Sequence, residues 1–99
     1  MFGGIVLKEH WIYPTWQSLP LIPSRSAMNE LWKYGLALDD AKQVLEEGYD
    51  CSDGKRKKTV FERCLHSRGK VIKIVVACGY NHSLATDCWV VTHVGTVKE

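Results

Sequence analysis

The hydrophobic pattern is clearest over residues 59–94, where three blocks of β-forming residues alternate with turns. The blocks are residues 59–66, 71–78 and 88–94, and the second is the richest in β-branched side chains. The link between the first two (SRGK, residues 67–70) is short and contains glycine, which favours an antiparallel hairpin. The pattern therefore predicts an antiparallel meander with residues 71–78 as its central strand.

Two helices are predicted ahead of this meander. Ser26 is a suitable N-cap for a helix over residues 27–34, and Gly35 is a suitable stop. A second helix is predicted over residues 38–47, with Gly48 after its end. Both helices carry an apolar stripe, expected to pack on the sheet face that holds Ile72, Ile74, Val76 and Cys78.

The predicted fold class is therefore α+β, with two helices packed on one face of a small antiparallel sheet. The element order is (β)ααβββ, in which the first strand is a short apolar run over residues 4–8. The chain of 99 residues is expected to form one domain. Its segment 1–24 contains three prolines and is predicted to be an extended, ordered loop, while residues 26–95 form the core. The aromatic residues of that loop are expected to pack on the core, or alternatively to stack on bases: Trp11, Tyr13 and Trp16.

Composition narrows the class of protein. Hydrophobic residues make up 45% of the chain and charged residues 24%, which argues for a folded domain. No apolar run is long enough for a membrane span, and the N-terminus lacks the pattern of a secretory signal. A cytoplasmic location without a membrane partner is therefore expected, and no cofactor is expected. In that compartment all four cysteines should be reduced: Cys51, Cys64, Cys78 and Cys88.

Charge is distributed unevenly along the chain. Residues 1–50 carry four Lys or Arg against seven Asp or Glu, a balance of −3, whereas residues 51–99 carry nine against four, a balance of +5. Four cations stand together ahead of the first strand of the meander: Lys55, Arg56, Lys57 and Lys58. Such a run is either a solvated loop or a place where a phosphate backbone is met. The sequence thus predicts an anionic partner on the side of the sheet.

A stretch of this pattern resembles a known group of domains. The segment YGLALDDAKQVLEEGYDC (residues 34–51), a charged turn, the strand VIKIVVA and the closing strand WVVTHV resemble small prokaryotic domains allied to RelE-like and BrnT-like toxins. The resemblance spans residues 26–95. Gly35 to Asp40 follow the helix-start pattern of those domains, with Ala37 in place of the usual capping Ser. Ser26-Ala27 replaces a His-Ala pair common at their first helix, which removes one possible site residue.

The resemblance implies a curved antiparallel sheet with an RNA-binding or ribonuclease surface on the face away from the helices. It also implies RNA as a partner, and either an antitoxin-like protein or a second copy of the chain. A metal-independent ribonuclease needs a proton acceptor, a proton donor and cations for the developing phosphorane. The candidate catalytic residues are His66, His93 and Arg63. The candidate nucleic-acid contacts are Arg68, Lys70 and Lys73 together with the basic run at residues 55–58.

Two alternatives remain open from the sequence. Cys78, His82, Cys88 and His93 form C-x3-H-x5-C-x4-H, a ligand set whose chemistry suits zinc but whose spacing matches no common zinc finger. Otherwise the domain is a noncatalytic module that binds a protein through a sheet edge. Within the catalytic set, Arg63 and His66 differ in strand parity, so both can face one ligand only at a strand end or a bulge.

Overall fold

The fold is centred on an antiparallel meander, seen in a computed structural model that describes residues 13–51 and 59–98. Its strands are β4 (Val60–Ser67), β5 (Lys70–Asn81) and β6 (Thr86–Lys98). β5 lies between the other two, which confirms the predicted central strand. The first turn is a two-residue turn in which Arg68 (φ 53°) and Gly69 (φ 80°) both have positive φ, as a type I′ hairpin requires.

The described part of the proline-punctuated segment, from residue 13 onwards, forms two strands rather than the predicted loop. β1 (Thr15–Trp16) and β2 (Leu19–Pro23) make a second tight hairpin, and β2 runs parallel to β6. Proline is tolerated here because Pro20 lies ahead of the pairing with β6, which covers residues 21–23, and Pro23 is the last residue of β2. Trp16 packs in the core, as predicted, whereas Tyr13 is half-buried and Trp11 lies outside the described residues.

The helices follow in the predicted places. α1 (Arg25–Lys33) begins two residues earlier than predicted, because the hydroxyl of Ser24, and not that of Ser26, caps it by accepting the Ala27 N–H at 3.1 Å. α2 (Leu38–Glu47) has the predicted bounds. Ala37 has no side-chain oxygen to cap α2, but the Asp40 carboxylate accepts the Ala37 N–H at 2.7 Å. Neither helix is long and apolar enough to cross a membrane, and this holds for the described residues alone.

One cluster of buried residues joins the helices to the sheet. Its members from the helices and β5 are Ala27, Leu31, Ala41, Val44, Leu45, Ile72, Ile74 and Val76. The side of β5 that carries Ile72, Ile74 and Val76 is called the core face, and the side with Val71, Lys73 and Val75 the second face. The same cluster includes Trp16 and Trp89, whose rings meet that of the partly buried Phe61 and each other at centroid distances of 5.2–5.4 Å.

A β-bulge in β6 settles which of its residues enter the core. Val91 pairs with Val76 and His93 pairs with Val75, so Thr92 is an extra residue between them. The bulge lets Trp89, Val91 and Val94 all be buried, although strict alternation would place Val94 on the opposite face from Val91. No single alternation of buried and exposed residues therefore holds for the whole of β6.

The predicted fold class is wrong in its sheet. The sheet has six strands in the order β1-β2-β6-β5-β4-β3, where β3 (Tyr49–Asp50) is a short strand after α2, and the β2–β6 pair is parallel. The fold is therefore mixed, with the order ββααββββ instead of (β)ααβββ. Strand pairing between segments far apart in the chain is set by packing, which local patterns do not encode. The predicted strand over residues 4–8 lies outside the described residues.

The prediction of four reduced cysteines is also wrong. Cys51 and Cys64 form a disulfide with a Cα–Cα distance of 5.6 Å, whereas Cys78 and Cys88 are free. Pairing of β3 with β4 places Tyr49 opposite Cys64, which brings Cys51 within disulfide range on the neighbouring strand. The 13-residue separation in sequence gave no sign of this proximity.

Candidate functional site

Arg63 holds β3 and the end of α2 in place. Its guanidinium donates to the Asp50 carboxylate at 3.1 Å and to the Gly48 carbonyl at 2.6 Å. Arg63 pairs with Ile74 and so lies on the core face, where its Nε is buried without a hydrogen-bond partner. By donating to both acceptors, the guanidinium joins the end of α2 to the edge strand β3, so its role here is structural.

His66 belongs to the same edge of the sheet but to the second face. It pairs with Val71, and its Nε2 lies 3.0 Å from the Tyr49 hydroxyl in a hydrogen bond. The two rings stack at a centroid distance of 5.7 Å. The imidazole is thus oriented by an exposed aromatic residue of β3.

His93 lies near the opposite edge, against α1. Its Nδ1 is 3.2 Å from one oxygen of Glu30, and the other oxygen of Glu30 accepts the backbone N–H of Val94 at 2.8 Å. The imidazole also lies over Gly95, where an added Cβ would come within 3.2 Å of Nε2. Glu30 therefore links the helix to β6 at the point where β2 no longer covers it.

The structure does not bring the three candidate catalytic residues together. His66 and His93 share the second face, but they lie opposite Val71 and Val75 in strands on either side of β5. Four residues along the strand and two strand spacings across it separate them by about 16 Å. Arg63 points to the other face, and β4 has no bulge that could rotate it round. A catalytic role for this set stays a prediction without a shared site.

The zinc alternative likewise lacks an assembled site. Over residues 13–51 and 59–98 no group of three or more metal-ligating side chains is close enough to hold an ion. Cys78 is exposed and Cys88 is buried on the neighbouring strand. Burial raises the pKa of the Cys88 thiol, and negative charge at Cys78 and Asp87 raises it further, so Cys88 stays protonated near neutral pH.

The candidate nucleic-acid contacts fall into three groups. Residues 55–58 lie outside the described residues. Lys73 is on the second face, and its amine pairs with Glu62 at 2.7 Å. Arg68 and Lys70, from the turn between β4 and β5, line a cleft.

This hairpin cleft has a volume of about 580 Å³ and lies between that turn and the junction of the two helices. Pockets of roughly 300–1,000 Å³ accommodate small ligands. One side is formed by Ser67, Arg68 and Lys70 of the hairpin, and the other by Tyr34, Gly35, Asp40 and Gln43 of the helical segment. Apolar side chains complete the lining: Leu36, Val44, Leu65 and Ile72.

No carboxylate in the described part of the chain forms an ion pair with the cations at this end of the sheet. Lys70 pairs in register with Lys98, and like charges directly opposite each other destabilise a sheet. Within the described ranges neither lysine nor Arg68 forms an ion pair with a carboxylate. Lys33, whose amine lies 5.5 Å from the Tyr34 ring centroid, adds a further cation beside the cleft. The excess of positive charge favours an anionic ligand.

Sequence reasoning missed several residues of the cleft. Tyr34, Asp40 and Gln43 were assigned to helices without a further role, because no local pattern shows that a helix junction faces a hairpin turn. Lys98, which pairs with Lys70 but does not line the cleft, is missed because the last strand is predicted over residues 88–94, whereas β6 continues to Lys98. The short link with Gly69 is the one signal in the sequence, since a tight turn fixes the register that places Lys70 there.

Comparison with known proteins finds no match, whether with family models, curated sequences or solved structures. Nothing in these comparisons links the chain to RelE-like or BrnT-like toxins. The resemblance therefore rests on the quoted residues alone, and the function has to be argued from the site.

Proposed function

We propose that the protein binds single-stranded RNA through the hairpin cleft. The observation that carries the proposal is that Arg68 and Lys70 line a cleft of about 580 Å³ and have no carboxylate partner among residues 13–51 and 59–98. Cations of this kind contact phosphates, and their contribution to affinity comes with release of counterions. A single strand suits the cleft better than a duplex, because a splayed nucleotide can enter a pocket of this size.

Binding without cleavage is the form of the proposal that the contacts support. Arg63 already bonds to Asp50 and Gly48, and His66 and His93 are about 16 Å apart by strand geometry. A general acid and a general base acting on one phosphodiester both need to lie within hydrogen-bond reach of it. We therefore expect RNA incubated with the protein to be recovered at full length.

The test compares charge removal in the cleft with equal charge removal elsewhere. The cleft variant is Arg68→Gln with Lys70→Gln, and the matched control is Arg25→Gln with Lys42→Gln. The control removes the same two residue types from positions that do not line the cleft. Arg25 is at the start of α1, and the amine of Lys42 donates to the Thr15 carbonyl. Binding of a labelled single-stranded oligonucleotide is measured by fluorescence anisotropy at roughly 50 mM and 200 mM salt.

The cleft variant should bind at least about tenfold more weakly than the wild type, since it loses two charge-assisted contacts. Its log-log salt slope should also be smaller by about 1.4, at roughly 0.7 per phosphate on a single strand. The control should retain the wild-type slope. Absence of binding by the wild type at low salt, or equal losses in both variants, would refute the proposal.

Protein binding is the second candidate function, favoured by the outer surface of α1. Met28 and Trp32, one helical turn apart, are 45% and 80% exposed. Large apolar side chains exposed together are common at protein interfaces. For a second copy of the chain as the partner, sedimentation velocity should show a concentration-dependent dimer that Trp32→Glu abolishes; a monomer at every concentration would exclude that partner.

A further inference from the structure

The side of the hairpin cleft opposite the cations carries the Asp40 carboxylate, and only one of its two oxygens accepts a hydrogen bond from a described residue. Asp40 accepts the Ala37 N–H through Oδ2 at 2.7 Å, and this contact fixes its side chain at the first turn of α2. Oδ1 makes no hydrogen bond within the described part of the chain. A fixed carboxylate oxygen facing a cleft is an acceptor that selects ligands with a hydrogen-bond donor.

The cleft therefore combines three different chemistries around one space. Arg68 and Lys70 suit a phosphate, while the partly exposed side chains of Leu36 and Leu65 offer apolar surface to the face of a flat ring. Val44 and Ile72 form the floor of the cleft and are buried in the core. Asp40, with the Gln43 amide beside it, suits a donor on the edge of that ring. A nucleotide has this order of groups, with a phosphate at one end and a base edge at the other.

We propose that the cleft holds one nucleotide of the RNA and selects a base with an exocyclic amino group, which donates to Asp40. The inference rests on the proposed RNA binding and adds base selection to it. Cytosine, adenine and guanine each carry such an amino group. Uracil has only a ring N–H flanked by two carbonyl oxygens, which would face the carboxylate and be repelled by it. Cytosine and uracil give the clearest test of this selection, because they have the same size and differ at the position of the amino group.

The discrimination should be measurable. A well-placed carboxylate contact to a cytosine amino group is worth about 1–3 kcal/mol against the wrong base, which corresponds to roughly 5- to 150-fold. Since Asp40 is half-exposed, the low end of this range is expected. The wild type should therefore bind oligocytidylate about fivefold more tightly than oligouridylate of equal length.

Asp40→Asn tests the inference without removing the helix cap. The amide oxygen can still accept the Ala37 N–H, but the charge is lost and an amino donor is gained. The preference for cytosine should disappear or reverse, because the new donor suits the uracil carbonyl. Asp39→Asn is the matched control, since Asp39 is the exposed neighbour in the same helical turn and does not line the cleft. Thermal unfolding of both variants checks that the fold is retained.

The outcomes separate the two proposals. A cytosine preference that Asp40→Asn removes and Asp39→Asn keeps supports base selection. Equal binding of the two oligonucleotides by the wild type overturns base selection and leaves RNA binding in place. A preference that persists in Asp40→Asn also overturns it, since a different group then reads the base. Failure to bind either oligonucleotide overturns both proposals.

Discussion

The two edges of the sheet are held by different means. At one edge, β3 consists of two exposed residues fixed by polar contacts and one covalent bond: Asp50 to Arg63, Tyr49 to His66 and Cys51 to Cys64. Towards the other edge, where β1 covers only the start of β2, β2 is anchored by burial, because Leu21 is fully buried where it pairs with β6. The first edge depends on groups that can be reduced or screened, and the second on apolar area.

The β2 edge is also continued by groups that are not in strands. Where β2 ends, the Ser24 N–H donates to the Val91 carbonyl, and Glu30 of α1 then accepts the Val94 N–H. A helix thus takes over the edge of β6 from a strand, which protects backbone groups that would otherwise be open to another chain. The β3 edge has no helix in this role among the described residues.

This contrast explains why the residues grouped by chemistry in the sequence do not form one site. Arg63 and His66 are engaged at the β3 edge, whereas His93 is engaged by Glu30 at the β6 edge. The unpaired cations lie between the edges, at the end of the sheet that carries the hairpin cleft. The side chains that hold the edges of the sheet already bond to other protein groups. The side chains that can bind a ligand are therefore Arg68 and Lys70, at the ends of β4 and β5.

The largest effect is expected at the buried edge. Leu21→Ala should lower the free energy of unfolding by about 3–5 kcal/mol, because it leaves a cavity in the core. Ile22→Ala, at the half-buried neighbour, should cost clearly less. Urea unfolding followed by tryptophan fluorescence measures both, and similar losses for the two variants would show that β2 is not anchored through Leu21.

The covalent edge should respond to reduction. Opening the Cys51–Cys64 disulfide, which spans 13 residues, should lower the free energy of unfolding by about 3 kcal/mol through the gain in chain entropy of the unfolded state. Urea unfolding with and without a phosphine reductant measures the loss. The same comparison on a Cys78→Ser variant controls for effects of the free thiol. An unchanged midpoint after confirmed reduction would contradict this role.

The helix-to-edge contact should have an intermediate effect. Glu30→Ala leaves the part-buried Val94 N–H without its acceptor and should cost about 1–3 kcal/mol. Glu30→Gln keeps an oxygen acceptor and should cost less, which isolates the hydrogen bond from the charge. Thermal unfolding of the pair checks this order. Equal melting temperatures for the Glu30→Ala and Glu30→Gln variants would show that the hydrogen bond to the Val94 N–H does not stabilise the fold.

The smallest change expected is in chemical reactivity, with no loss of fold. Without reductant, iodoacetamide should label two thiols per chain, and four after reduction and unfolding. Cys78 should react first because it is exposed, whereas Cys88 is buried and its pKa is raised, so less of it is thiolate at a given pH. Peptide mass spectrometry over time measures the order. Four thiols labelled at once in the unreduced protein would exclude the disulfide.

The sequence alone predicted the elements that depend on contacts between residues close together in the chain. The bounds of α2 follow from its apolar spacing and Gly48, and β5 follows from its β-branched run. The hairpin between β4 and β5 follows from a short link with Gly69. Each depends on hydrogen bonds and torsion angles within a few residues, which the sequence specifies directly.

The tertiary structure alone decided the long-range features. Parallel addition of β2 to β6 joins segments about 70 residues apart, and the bulge at Thr92 exists because Val91 and Val94 are both buried. The Cys51–Cys64 disulfide and the hairpin cleft also arise only when distant elements meet. Their physical cause is the fit of side chains across elements, a property of the whole packed core that no local window of sequence contains.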